Sequence, residues 1–399
     1  MKIVMQKLYI ILKLTIYILK VGVAFIISRV FLLSEHYRDI WLVSERGDDA
    51  RDNGWFFFKY VKEKYPEVNV YYVIDCKSSD FEKIQTIGKF IHTNSFKHYV
   101  YFMLAKVRIS THIWGGDIPG IDYYYKLRFN RISKKKQVFL QHGITKDYQP
   151  GLCYPNVTPN LFVCGAKPEF DYIKDAFGHP ENVVCYTGFA RFDNLHVHEE
   201  KYQILIMPTF RKWLQGITVE EFEDSEYFRA WNHVLNDTKI HDMLKKNNLN
   251  LVFYPHYEMQ KFVSCFKSSC KNVIIADFAH YDVQQLLMES KLLITDFSSV
   301  FFDFAYMKKP VLYYHFDRPK YIQKHYDFTK GYFSYDDNGF GEVVFDAENL
   351  IEYITKYIVE DFRLSDEYIE RGNEFFTLHD EHNSERIFAK IQEIISEEK

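Results

Sequence analysis

Residues 291–314 read KLLITDFSSVFFDFAYMKKPVLYY, a strand, loop, helix and strand in one stretch. Leu292, Leu293 and Ile294 make the short apolar run of a strand buried on both faces. Residues 295–299 break that pattern with polar groups. From Val300 onward, Val300, Phe301, Phe304, Ala305 and Met307 recur at helical spacing, and Lys308, Lys309 and Pro310 close the helix with positive charge and a breaker. Residues 311–314 resume as a strand. A helix that opens straight from a strand, with Ser298 and Ser299 in its first turn, presents unpaired backbone N–H groups and the positive end of its dipole to an anion. That would be a phosphate seat without a glycine-rich loop. By itself Ser298 reads equally well as an ordinary N-cap.

Working outward, the same unit recurs on both sides. IWLVSE is a strand, ERGDDARDNG (45–54) a polar loop at its C-terminal end, residues 55–64 a helix and VNVYYVID (68–75) the next strand, which together make a βαβ unit. Strands follow in KFIHTNS, AKVRIST, KQVFLQHG (136–143), NLFVCGA (160–166) and NVVCYTG (182–188). A second series begins with QILIMP and continues through LNLVFYPH, NVIIAD and the opening stretch to a helical end at IFAKIQEII. The expectation is α/β: two Rossmann-like doubly wound domains over 36–195 and 196–399, with ligands in the crevice at the carboxyl ends of the strands.

Composition sets the outer limits. With 399 residues the chain has room for two cores, and 47% apolar against 26% charged residues marks it as globular. A net charge of −4 provides no field suited to nucleic acid, so none is expected as a partner. The six cysteines form no CxxC pair and fit reduced thiols, and no histidine or carboxylate cluster has metal-ligand spacing. Residues 1–32 are apolar but punctuated by Lys2, Lys7, Lys13 and Lys20 at six- or seven-residue intervals. No uncharged run reaches the roughly 18–20 residues of a spanning helix. This segment reads as an amphipathic, membrane-associating helix with lysines toward an anionic membrane surface, which would place the protein peripherally on the cytoplasmic face of the cell membrane. A helix packed on the protein itself is the other reading.

Four polar sets fall at predicted strand ends. His142, between Gln141 and Gly143, has the pKa range of a general base, and Gly143 would let a substrate approach the backbone. Arg211, three residues after Pro208 and two after Thr209, offers a fork of donors matched to phosphate. His256, after Pro255, would donate to a phosphate or protonate a leaving oxygen. Asp296, Ser298 and Ser299 complete the list, Asp296 as a group that orients a ribose or histidine, or merely closes the turn. Asp303, one turn inside the helix, would repel a diphosphate and is assigned a structural role. Taken singly, each has an ordinary structural explanation.

Together these residues resemble the CDP-glycerol glycerophosphotransferase family, enzymes of teichoic acid and capsule polymers. The resemblance is carried by HG at 142–143, GFARFD at 188–193, PTFR at 208–211, the strand and histidine at 252–256, and above all LLITDFSSVFFDFAYMKKPVLYYHFD at 292–317. It covers roughly residues 39–341. The chain departs from the family pattern at Gln141 and Ile144, with threonine one place later at Thr145, and at Phe340–Gly341, where a proline–glycine step is usual.

The resemblance implies a glycosyltransferase-B-like (GT-B) architecture, with acceptor in the first lobe and donor mainly in the second. It also implies transfer of glycerol phosphate, or a related polyol phosphate, from CDP-glycerol or another CDP-polyol to a hydroxyl of a lipid-linked glycan, with release of CMP. His142 would be the base. His256, Ser298 and Ser299 would form the diphosphate site, with Arg211 as a further anion contact. A Mg2+ ion carried by the donor would leave no mark in the sequence, so no cofactor is assigned. A sugar-nucleotide glycosyltransferase of the same shape and a non-catalytic nucleotide-binding subunit of an assembly complex are the alternatives.

Overall fold

The computed structural model describes residues 2–126, 135–197, 199–325 and 329–397. Two parallel sheets divide the chain. The first contains β1 (Trp41–Ser44), β2 (Val70–Ile74), β3 (Lys89–His92), β4 (Val107–Ser110), β5 (Lys136–Phe139), β6 (Leu161–Cys164) and β7 (Val184–Tyr186), in the order β3-β2-β1-β4-β5-β6-β7. The second contains β8 (Gln203–Met207), β9 (Asn250–Phe253), β10 (Val273–Ile275), β11 (Leu292–Thr295), β12 (Val311–Tyr314) and β13 (Gly341–Val344), in the order β10-β9-β8-β11-β12-β13. Chain direction across the sheet reverses between β1 and β4 and between β8 and β11. These switch points open crevices at the carboxyl ends of the strands.

The decisive stretch lies where its pattern placed it, in the middle of the second sheet. Ile294 of β11 pairs in register with Ile206 of β8 and Leu312 of β12, and all four β11 residues are buried. Burial on both faces explains why β11 is uniformly apolar rather than alternating. Gly341 opens β13, where a Cβ would lie 1.7 Å from the Val311 carbonyl oxygen, so the strand closes only on glycine.

Two features differ from the sequence reading. The last helix, Asn383–Ser396, follows the second lobe in the chain but packs on the first. Phe388 stacks on Tyr65 at 3.9 Å and lies 5.5 Å from Trp41, while Asp193 caps the helix by accepting the N–H groups of Asn383 and Ser384, each at 2.8 Å. Periodicity identified the helix; only packing shows which lobe receives it.

The second difference is at the N-terminus, where Lys2–Phe31 is one continuous helix and Leu12–Phe31 is long and apolar enough to cross a membrane by length and composition. One face is docked: Tyr17, Val21 and Ala24 are buried in a cluster with Tyr99, Val100 and Met103 of the helix Phe96–Leu104. The opposite face leaves Leu12, Ile16, Leu19, Val23, Ile26 and Val30 exposed. At 3.6 residues per turn these form one stripe, and the exposed Lys13 and Lys20 flank it rather than oppose it.

Candidate active site

His142 owes its position to the turn after β5. Gln141 adopts a left-handed φ of 58° and turns its own side chain inward, where its amide donates to the Val163 carbonyl at 2.7 Å and to Glu169 at 3.0 Å. The next side chain, His142, is thereby turned out into the cleft. Its Nδ1 faces the Thr111 carbonyl at 3.3 Å. A carbonyl only accepts, so the proton sits on Nδ1 and the Nε2 lone pair is left for a substrate. His112, just beyond β4, stacks flat on the His142 ring, centroids 4.5 Å apart and planes within 6°.

The edge of His142 is exposed, while Thr111, His112, Asp52 and Arg191 crowd the rest of the ring. Loss of hydration outweighs the nearby Asp52 carboxylate and lowers its pKa. The same cause takes His112 down to about 3. Both imidazoles are therefore neutral at pH 7.

In the second lobe, Asp296 is a buried junction rather than a ligand contact. It accepts the N–H groups of Thr209 at 2.7 Å and Phe297 at 2.6 Å, and its Oδ2 lies 2.8 Å from Arg211. Arg211 has no exposed side-chain surface; its guanidinium forks onto Asp317 at 2.7 and 2.8 Å and also donates to the Thr209 carbonyl. The expected anion contact from Arg211 is thus corrected: its charge is already neutralised by two buried carboxylates. Asp296 likewise has no face left for a ribose. Thr209 is buried, and its Oγ1 has no hydrogen-bond partner among the described residues.

Ser298 and Ser299 precede the helix instead of opening it. The helix is Phe301–Tyr306, with Val300 as its cap, so the serines sit in the turn between β11 and the helix, partly exposed. His256 ends the turn after β9. Its Nδ1 accepts the Glu258 N–H at 3.2 Å, which leaves Nε2–H as a donor, and burial lowers its pKa to about 4.

Predicted residues from opposite lobes meet at one point. A Cβ on Gly143 would lie 2.8 Å from Ser299 Oγ, so the histidine loop touches the serine turn directly. Gly143 therefore permits approach of one lobe to the other, where the sequence reading had a substrate approaching the backbone. Beside this contact, His142 lines a cleft of about 950 Å³ together with Arg46, His112 and Asp147 from the first lobe and Lys212 and Tyr321 from the second.

Several residues that build the site were given no individual role from the sequence. Arg191, inside GFARFD, crosses between lobes to grip both oxygens of Asp303 at 2.7 and 2.8 Å and also reaches Asp52 at 3.0 Å. Asp303 is held by this clamp, where the sequence reading had it stabilising the N-terminus of its helix. The loop 45–53, read only as polar, anchors the seam: Asn53 donates to the Gln141 carbonyl, and Arg51 donates to the carbonyls of Phe278 and Tyr281 in the other lobe. Its place after the central strand β1 was the available signal. Among the described residues no group of three or more His, Cys, Asp or Glu converges to hold a metal.

Two parallel α/β sheets facing one cleft, with histidines at the strand ends of both, define a two-lobed protein of the GT-B type. The chain belongs to the CDP-glycerol:poly(glycerophosphate) glycerophosphotransferase family, whose sequence profile matches residues 25–147 and 174–393. It is 34% identical over 372 residues to the minor teichoic acid biosynthesis protein GgaB of Bacillus subtilis (strain 168), covering 90% of this chain and 40% of that protein. It is also 34% identical over 261 residues to a teichoic acid glycerol-phosphate transferase of Staphylococcus aureus, covering 62% and 64% of the two chains. The chain thus spans less than two thirds of these relatives. Among solved structures, the wall teichoic acid polymerase TagF superposes with a TM-score of 0.63 at 18% identity, over 91% of this chain and 90% of that one. S. aureus MnaA with UDP superposes at 0.55 and 13% identity, over 90% and 96%. These two likenesses establish the fold.

Proposed function

We propose that the protein transfers glycerol phosphate, or a related polyol phosphate, from a CDP-activated donor to a hydroxyl of a lipid-linked glycan in the synthesis of a teichoic acid-type surface polymer. The observation that carries this reading is the contact of Gly143 with Ser299, which joins the basic edge of His142 to the serine turn at one seam. Family membership and the named teichoic acid relatives support the choice of donor.

The acceptor hydroxyl loses its proton to His142 Nε2 as its oxygen attacks the phosphorus bearing the polyol. The bond from that phosphorus to the CMP oxygen breaks, and CMP leaves. Ser298, Ser299 and the Nε2–H of His256 supply hydrogen bonds to the diphosphate. Such a reaction depends mainly on positioning and on fixed donors around the transferred group. Any Mg2+ would arrive with the diphosphate.

The N-terminal helix supports a peripheral site on the cytoplasmic face of the membrane. One side is occupied by the helix Phe96–Leu104, and the exposed stripe from Leu12 to Val30 would lie in the acyl boundary with Lys13 and Lys20 level with anionic headgroups.

The test is CMP release from CDP-glycerol by the full chain with a lipid-linked acceptor. Release should depend on acceptor, the product should gain the mass of a polyol phosphate, and His142→Ala should lose turnover while still binding donor. Full turnover by that variant removes His142 from the mechanism. A product that gains a sugar without phosphate assigns glycosyl transfer instead.

A further inference from the structure

We propose that Arg46, on the acceptor lobe, contacts the transferred phosphoryl group and offsets the charge that grows on its oxygens as the acceptor attacks. This rests on the reading of the cleft as a phosphoryl-transfer site. Arg46 lies two residues beyond β1 and His112 two beyond β4, so the two flank the switch point of the first sheet, where the crevice opens.

The guanidinium bridges the two halves of the site. Its Nε points at His112 Nε2 from 3.4 Å, and His112 stacks on His142. Its Cζ lies 5.6 Å from the ring centre of Tyr257, the residue after His256 in the other lobe. Arg46 therefore stands between the base and the donor-side histidine.

The charge inventory of the cleft favours the same residue. The nearby histidines are neutral, Arg211 is sealed between Asp296 and Asp317, and Arg191 is held by Asp303 and Asp52. The side chain of Arg46 is 44% exposed, and its ion pair with Asp49 is long, at 3.8 Å. The described cations lining the cleft are Arg46 and, from the opposite lobe, Lys212.

The loop is built to hold its position. Glu45 is buried and accepts the N–H groups of Arg51, Asp52 and Trp55 at 2.8–2.9 Å, while the Arg46 N–H is tied to Asp49 Oδ1 at 3.1 Å. In the step itself Arg46 neither gives nor takes a proton, since a guanidinium keeps its charge. The hydroxyl proton goes to His142 and the breaking bond leaves on CMP. The contribution of Arg46 is electrostatic, and it is largest when the phosphoryl group is between its two oxygens.

The experiment compares wild type, Arg46→Ala and Arg46→Lys as full chains. Arg46→Ala should lower kcat roughly 100- to 1000-fold, as removal of a preorganised donor does, with donor affinity changed less than about threefold. Arg46→Lys should recover little, because an ammonium lacks the fork. Free guanidinium ion should restore at least about tenfold to Arg46→Ala and nothing to His142→Ala. Turnover within about threefold of wild type, a loss confined to KM, or a loss that guanidinium does not restore would overturn the proposal.

Orthovanadate binding in the presence of CMP gives a readout independent of turnover. Arg46→Ala should weaken it about tenfold, and unchanged affinity overturns the role of Arg46 even if the transferred group is not a polyol phosphate. Wild type that binds CMP and vanadate through Arg46 but transfers nothing from CDP-glycerol would overturn only the functional reading.

Discussion

Gly143→Ala is the sharpest perturbation of the interlobe seam. The added methyl would lie 2.8 Å from Ser299 Oγ and 3.5 Å from Ser299 Cβ. The second distance is ordinary packing; the first is well inside the roughly 3.5 Å of favourable contact. Gly143 is not among the residues with positive φ, so alanine fits its backbone. The least costly response is rotation of the Ser299 hydroxyl away from the seam, which removes its hydrogen bond to the diphosphate. A hydrogen bond to a charged group contributes about 1.5–3 kcal/mol, which corresponds to a loss of roughly 10- to 150-fold in kcat/KM.

The assay is a double-mutant cycle on CMP release. Ser299→Ala alone should lose a similar factor, and the double variant should lose no more than Ser299→Ala, because the clash has no partner once the hydroxyl is gone. The coupling energy should then match the single loss, about 1.5–3 kcal/mol. Full activity of Gly143→Ala, or losses that multiply in the double variant, would refute the argument that the glycine keeps the serine turn in place.

Three further outcomes follow from the geometry. His142 ionises below the ordinary imidazole value of 6.5, so acid converts Nε2 from base to N–H and kcat/KM should fall as pH drops through that lowered pKa; activity should be level from pH 7 to 8, and an acid limb centred above 7 would contradict this. Asp303→Asn leaves Asp52 as the one carboxylate among the described residues paired with the buried Arg191 and should cost about 3 kcal/mol, read as a lower midpoint in thermal unfolding; an unchanged midpoint would show that the clamp contributes nothing. Leu19→Asp with Val23→Asp alters the exposed stripe without touching the face against residues 96–104, so binding to phosphatidylglycerol vesicles should drop about tenfold at unchanged thermal stability, and retained binding would place the membrane contact elsewhere.

Much of the fold was legible because parallel strands buried on both faces leave an uninterrupted apolar mark. β11, β12 and the polar break between them could be read directly from 291–314. His142 and His256 could be located for a related reason, since each follows such a strand. Arg46 and His112 occupy equivalent positions and were passed over, because a charged residue in a polar loop looks the same whether it is solvated or aimed into a cleft. Arg211 misled for the converse reason: its partners Asp296 and Asp317 lie 85 and 106 residues away along the chain, and nothing local announces them.

The sequence alone therefore determined the succession of strands and helices and the loops in which chemistry was to be sought, because those depend on periodicity within a few residues. The tertiary structure decided which charges remain available. Arg191 and Arg211 are neutralised by carboxylates brought in from distant segments, Arg46 is left facing the cleft, and the last helix crosses back to the first lobe. Each of these outcomes depends on how two separately folded sheets meet, which local pattern does not encode.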